Sequence, residues 1–141
     1  MLKTVCTHPE LLRALAACGH GDKVLIADGN FPLDSKTGAS CAKVYLNLTH
    51  GIPLVTDVLR VLEQTVPIEK AEVMTPETGE EPPIFAEFRT MLNGMELHPL
   101  SRQAYYDACM SPDVKVAVAT GEQRTFANLL LTIGVVSNGA E

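Results

Sequence analysis

Gly19-His20-Gly21-Asp22-Lys23-Val24-Leu25-Ile26-Ala27-Asp28-Gly29-Asn30-Phe31-Pro32 passes from a helix stop, through a short apolar run, into a turn. Val24 to Ala27 is continuously apolar, which suits a strand buried on both faces, as in a sheet with helices above and below it. Gly19 and Gly21 read as the end of a preceding helix, and Asp28 to Pro32 as a tight turn. In open α/β sheets ligands collect outside the carboxyl ends of strands, which is where Asp28, Gly29 and Asn30 stand. Histidine is the side chain suited to both giving and taking a proton, and His20 stands at the start of the strand. Together they point to a site for a small polar molecule. Plain punctuation of the chain explains the same residues, so both readings stay open on this stretch alone.

Upstream, Thr7-His8-Pro9-Glu10 predicts a helix start, with Thr7 as cap and Glu10 closing a capping box. Leu11, Leu12, Leu15 and Ala16 continue it at helical spacing. Downstream, Leu33 to Ser40 is rich in turn formers, and Lys43 to Leu48 reads as a second strand broken by His50-Gly51. A helix opened by Pro53 carries the stripe Leu54, Val55, Val58, Leu59 and Leu62. Pro67 ends it, and Ile68 to Met74 is the next strand. Residues 75 to 83 are acidic and proline-rich, an exposed loop. Ile84, Phe85, Phe88, Met91 and Leu92 mark a third helix that stops near Gly94. Met95 to Pro99 is a short strand. Ser101 caps a fourth helix carrying Arg102, Tyr105, Tyr106 and Cys109. Val114, Val116 and Val118 alternate as a strand into Thr120-Gly121-Glu122, and Phe126 to Ile133 forms a last core strand. Strands alternating with helices predict a layered α/β fold, a single domain over residues 1–141.

The chain has 141 residues, 46% of them hydrophobic and 20% charged, the balance of a globular domain with a real core. A net charge of −6 and the lack of a basic stripe disfavour nucleic acid. No apolar run reaches bilayer length and no basic leader precedes an apolar core, so no membrane partner is expected and the cytoplasm is the default compartment. Cys6, Cys18, Cys41 and Cys109 lack metal-site spacing, so free thiols and no metal are expected. Gly19-x-Gly21 precedes its strand and lacks a third glycine, so it is no phosphate fingerprint. Positive mean hydropathy in so small a chain favours burial of surface between subunits.

Four stretches in order resemble the D-ribose pyranase and L-fucose mutarotase (RbsD/FucU) family. They are Gly19-His20-Gly21-Asp22, Ala27-Asp28-Gly29-Asn30-Phe31-Pro32, Leu48-Thr49-His50-Gly51-Ile52-Pro53, and Thr120-Gly121-Glu122 with Phe126-Ala127-Asn128. The resemblance spans essentially the whole chain. It implies a single-domain α/β/α layered fold with a mixed central sheet, assembled as a homo-oligomer, a decamer of two pentameric rings. It implies interconversion of the cyclic forms of a free monosaccharide without cofactor or metal. His20 matches the family's proton donor, and Asp28, Arg102, Phe126 and Asn128 match sugar-binding positions. Phe126 stands where members usually carry tyrosine, removing one hydroxyl. The Leu48-to-Pro53 stretch resembles the ribose branch, whereas Arg102 resembles the fucose branch, so the motifs are mixed as to the sugar.

Opening a cyclic hemiacetal needs one proton delivered to the ring oxygen and one removed from the anomeric hydroxyl, work for one positioned acid/base. His20 is the candidate, with Asp22 or Asp28 orienting it or holding sugar hydroxyls. Arg102 supplies fixed donors and Asn128 both donates and accepts. Tyr106 or Tyr105 is placed to restore the hydroxyl missing at Phe126, and a C-terminal segment reaching a neighbour's His20 would make the site a shared one. His8 and His98 read as solvated, His50 as structural, and Glu122 as a turn residue bonded to backbone amides. Two alternatives remain: a non-catalytic sugar-binding or transport-accessory module, and an aldose isomerase, for which no metal-ligand cluster is visible.

Overall fold

The computed structural model describes residues 1–139. It comprises α1 (Pro9–Ala16), β1 (Lys23–Ala27), β2 (Ala42–Tyr45), α2 (Val55–Glu63), β3 (Ile68–Met74), α3 (Ile84–Met91), β4 (Leu97–Leu100), α4 (Arg102–Cys109), β5 (Val114–Ala119) and β6 (Leu129–Ile133). One sheet with its helices accounts for these residues. Positions 140 and 141, which the single-domain reading included, lie outside the described residues.

The six strands form one mixed sheet in the order β2-β5-β1-β6-β3-β4. β1 pairs parallel with β5, β5 with β2, and β3 with β4. β6 alone among them runs the other way, antiparallel to both β1 and β3. The carboxyl ends of β1, β2, β3, β4 and β5 therefore share one edge of the sheet with the start of β6. The opposite edge collects the starts of β1 and β3 and the end of β6.

Alternation along the strands divides the core. Val24, Ile26, Leu129 and Leu131 face the layer of α1, α2 and α3, where Leu59, Leu62 and Phe88 are also fully buried. Leu25, Ala27, Leu130 and Met74 face the other layer, built from α4 and the 31–41 segment. Truncating a fully enclosed side chain such as Leu59 to alanine costs about 2–5 kcal/mol.

Where the boundaries differ from expectation the cause is local. His8, not Thr7, caps α1, its Nδ1 accepting from the Leu11 N–H at 3.2 Å. Pro9 fits the first helical position, which makes the residue before it the cap. His8 therefore has a structural job and is not merely solvated. β2 stops at Tyr45 because its one partner, β5, runs out at Ala119, and Leu48 is left 79% exposed. β6 begins at Leu129 and not at Phe126, because Phe126 adopts a left-handed backbone, φ 59°, that no strand accommodates.

Three loops at the carboxyl edge are stitched by main-chain bonds. Gly29 N–H donates to Glu122 O at 2.8 Å, Gly51 N–H to Gly121 O at 2.6 Å, and Gly121 N–H to Pro53 O at 2.9 Å. Backbones this close leave no room for a side chain: a Cβ on Gly121 would lie 2.1 Å from Thr49 O and 2.7 Å from Ile52 O. Gly121→Ala should therefore destabilise the fold by about 3 kcal/mol or more, the upper range of overpacking, and denaturant unfolding should show a lowered midpoint.

Candidate functional site

At the carboxyl edge, a cavity of about 180 Å³ is lined by Asp28, Asn30, Phe31, Pro32, Met74, Arg102, Tyr106, Thr125, Phe126 and Asn128. Sheet topology explains the gathering. Asp28 follows β1, Met74 ends β3, Arg102 opens α4 just past β4, and Asn128 immediately precedes β6. The structure places Asp28, Arg102, Phe126, Asn128 and Tyr106 around this one cavity.

Asn128 holds Asp28 from two sides. Its Oδ1 accepts from the Asp28 N–H at 2.7 Å, and its Nδ2 donates to Asp28 Oδ2 at 3.2 Å. Asp28 Oδ1 also accepts from the Asn30 N–H at 3.0 Å. Burial pushes the Asp28 carboxyl above its usual range, and the donors from Asn30, Phe31 and Asn128 only partly offset this. Asp28 is 7% exposed and still lines the cavity, which suits a carboxylate that accepts from a ligand hydroxyl. The Arg102 guanidinium, exposed on the first turn of α4, has no partner among the described residues and is free to donate.

The two tyrosines of α4 separate. Tyr105 is fully enclosed in the core, its hydroxyl without a partner among the described residues and its phenol pushed well above the ordinary range by burial. Tyr106 is half-buried at the cavity. Phe31 packs edge-on against its ring at 5.7 Å, and Lys36 Nζ lies 5.1 Å from its centroid. Of the two tyrosines, only Tyr106 lines the cavity.

His20 is elsewhere. It lies beyond the start of β1, Asp28 beyond its end, so the two are on the order of 20 Å apart within one chain by strand rise alone. A site built from both in a single chain is excluded by this geometry. The His20 ring is exposed beside a mostly apolar hollow of about 350 Å³ between Leu15, Cys18, Val66, Ile133, Val135 and Val136. Its Nε2 meets both carboxylate oxygens of Glu69, at 3.0 and 3.1 Å. Asp22 instead accepts from the Gly19 N–H at 2.8 Å and braces the turn. Glu69 was not foreseen. No motif links residues 49 apart in sequence, and only knowing that β1 and β3 start on one edge would have found it.

Glu122 does bond backbone amides, those of Gln123 at 3.1 Å and Arg124 at 3.3 Å, but it is also clasped by a guanidinium. Arg124 Nε and Nη2 donate to its two oxygens at 3.2 and 2.7 Å, while Nη1 reaches Glu87 on α3 at 2.6 Å. Burial disfavours the Glu122 anion, yet the Arg124 fork and the backbone donors outweigh it and hold the carboxyl below its usual range. Among the described residues no group of three or more His, Cys, Asp or Glu is placed to hold a metal. No described helix is long and apolar enough to cross a membrane. Cys6, Cys18, Cys41 and Cys109 are free thiols.

Comparison with known proteins gives a consistent set of likenesses. The model of the RbsD / FucU transport protein family matches residues 1–136. A D-ribose pyranase of Chloroflexus aggregans is 31% identical over 137 residues, covering 96% of this chain and 99% of that protein. A fucose mutarotase of Homo sapiens is 33% identical over 141 residues, covering 92% of this chain and 89% of that protein. The structure of Bacillus subtilis RbsD complexed with D-ribose superimposes with a TM-score of 0.82 at 28% identity, covering 97% of this chain and all of that one.

Because Glu122 titrates below its ordinary value of 4.5 in the folded state, its contribution to stability is complete above that pH and is lost as pH falls through the folded value. Glu122→Gln should accordingly be less stable than the parent at neutral pH. The gap should narrow below about pH 4, as followed by denaturant unfolding across pH.

Proposed function

The chain belongs to the RbsD / FucU family, and from that premise we propose that it is a monosaccharide mutarotase/pyranase, an isomerase that interconverts the cyclic forms of a free aldose such as ribose or fucose. The observation that carries the residue assignment is the division of its chemistry between two edges of one sheet. One edge presents an open cavity with an acceptor, Asp28, and donors from Arg102, Asn128 and Tyr106. The other presents an exposed imidazole oriented by a carboxylate, His20 with Glu69. Neither half suffices, so the working unit is an oligomer in which His20 of one subunit closes the cavity of the next. A ring closes such head-to-tail contacts without leaving an end. The decamer of two pentameric rings implied by the family resemblance is one such closed form. The free thiols suit the cytoplasm, a reducing compartment.

In this reading the sugar lies with its hydroxyls on Asp28, Arg102 and Asn128, and its apolar face against Phe31, Met74 and Phe126. Glu69 accepts the Nε2 proton of His20, which leaves a lone pair on Nδ1. Nδ1 takes the proton of the anomeric hydroxyl as the bond from the anomeric carbon to the ring oxygen breaks. The ring oxygen gains its proton from the Tyr106 hydroxyl, which recovers one when the ring closes. The open aldehyde rotates about its first carbon–carbon bond, and the same transfers run in reverse on the other face, or at another hydroxyl. No electrons change hands, so no redox partner is required. The spontaneous reaction already proceeds in water, and one positioned acid/base supplies about 10²–10⁴-fold.

Phe126 also favours a second reading, a binding module without turnover, because the hydroxyl it lacks is one a catalytic pocket would use. Saturation transfer between the anomeric proton signals of free D-ribose and L-fucose separates the two. Enhanced exchange supports the enzyme, and binding without exchange supports the module. His20→Asn should lower the exchange rate by about 10²–10⁴-fold with the fold retained, and Glu69→Gln should give a smaller loss. Coexpressed His20→Asn and Asp28→Asn chains, each inactive alone, should recover about a quarter of parental activity, the share of shared sites that random mixing around a closed ring leaves intact. No recovery in the mixture would confine His20 and Asp28 to separate functions.

A further inference from the structure

The segment between β5 and β6 is held at two points, with the sugar-facing residues suspended between them. At its end, Ala127 is fully buried and Asn128 is bonded to Asp28. At its start, Glu122 is 1% exposed and receives four donors from Gln123 and Arg124, two of them from the guanidinium fork. Arg124 is tied in turn to Glu87 on α3, in the helical layer opposite α4. Between these anchors lie Thr125 and Phe126, both lining the cavity, and Phe126 sits at φ 59°. A bulky aromatic residue avoids that conformation unless the surroundings impose it. Neither Arg124 nor Glu87 lines the cavity, and neither was singled out by any motif. They nevertheless link the strained turn to the helices behind the sheet.

We propose that Arg124, clasping Glu122 and tethered to Glu87, is a positioning residue that holds Phe126 in its left-handed turn and so shapes the wall of the sugar pocket. The inference rests on the reading of that pocket as the sugar site. The physical content is a coupling. Phe126 relaxes toward negative φ when the start of the segment is released, and this carries Thr125 and the Phe126 ring out of the cavity wall. Glycine adopts positive φ freely, so a glycine at this position needs no clamp to follow the same path. Substrate affinity should then depend on Arg124 when residue 126 is phenylalanine and hardly at all when it is glycine.

The experiment is a double-mutant cycle on the full-length chain with Arg124→Gln and Phe126→Gly, singly and together. Glu122→Gln/Arg124→Gln serves as a second form of the clamp variant that leaves no unpaired buried charge. Anomeric exchange of L-fucose and D-ribose is measured against sugar concentration. Amide hydrogen exchange at Asp28 N–H, which donates to Asn128, is measured without sugar. In the parental Phe126 background, loss of the clamp should raise the half-saturating sugar concentration about tenfold, with the maximal rate within about twofold. In the Phe126→Gly background the same change should stay under about twofold. Exchange at Asp28 should quicken with loss of the clamp only when Phe126 is present, while Leu25 in the sheet interior stays protected. Equal effects in both backgrounds, or none in either, would overturn the positioning role. A parental protein that neither exchanges nor binds either sugar, with the Asp28 coupling intact, would sink the sugar-site reading and leave the clamp standing as a property of the loop.

Discussion

The side chain of Asn128 grips Asp28 through both its amide oxygen and its amide nitrogen, across 100 positions of sequence. That contact requires β6 to run against β1, because only then does the start of one strand meet the end of the other. A parallel β6 would carry Asn128 to the far edge, next to His20. The antiparallel strand in an otherwise parallel sheet thus decides which residues share a cavity. It also leaves one buried carboxylate held by donors from Asn30 and Asn128 and still lining the cavity.

The same arrangement divides the chemistry. A strand of five residues separates the imidazole from the carboxylate pocket, and no side-chain motion spans that length. Each chain carries an exposed imidazole at one edge and a polar-lined cavity at the other, and under the proposed function head-to-tail assembly is the direct way to unite them. The apolar side chains around His20, Val135 at 63% and Val136 at 81% exposed among them, are suited to burial in that contact. In this view the hydrophobic excess of a small chain and the incompleteness of its site have one cause.

Support for the cavity comes from behind the sheet as well as from within it. Glu122 exchanges solvation for a guanidinium fork and backbone donors, and Arg124 carries the connection to α3. An exposed ion pair alone contributes little, but here one partner is enclosed and the pair fixes a turn that phenylalanine resists. Strain of this kind persists only where its surroundings over-determine it, at a cost on the order of 1–3 kcal/mol.

Read alone, the residues determined most of the architecture. The apolar run Val24 to Ala27, the stripe of α2 and the Ser101 cap are local patterns, and β1, α2 and α4 formed where those patterns stand. Asp28 was legible from its place at a strand end, where sheets of this class gather ligands, whereas Arg102, Phe126 and Asn128 were legible only through the family resemblance and Tyr106 only through the hydroxyl missing at Phe126. Only the tertiary structure decided that Tyr106 and not Tyr105 faces the cavity, that Glu69 and not Asp22 orients His20, and that His20 stands apart from Asp28. Those outcomes depend on strand order and direction, on which edge each strand end reaches. Pairing across the sheet joins residues tens of positions apart, and no periodicity along the chain records it.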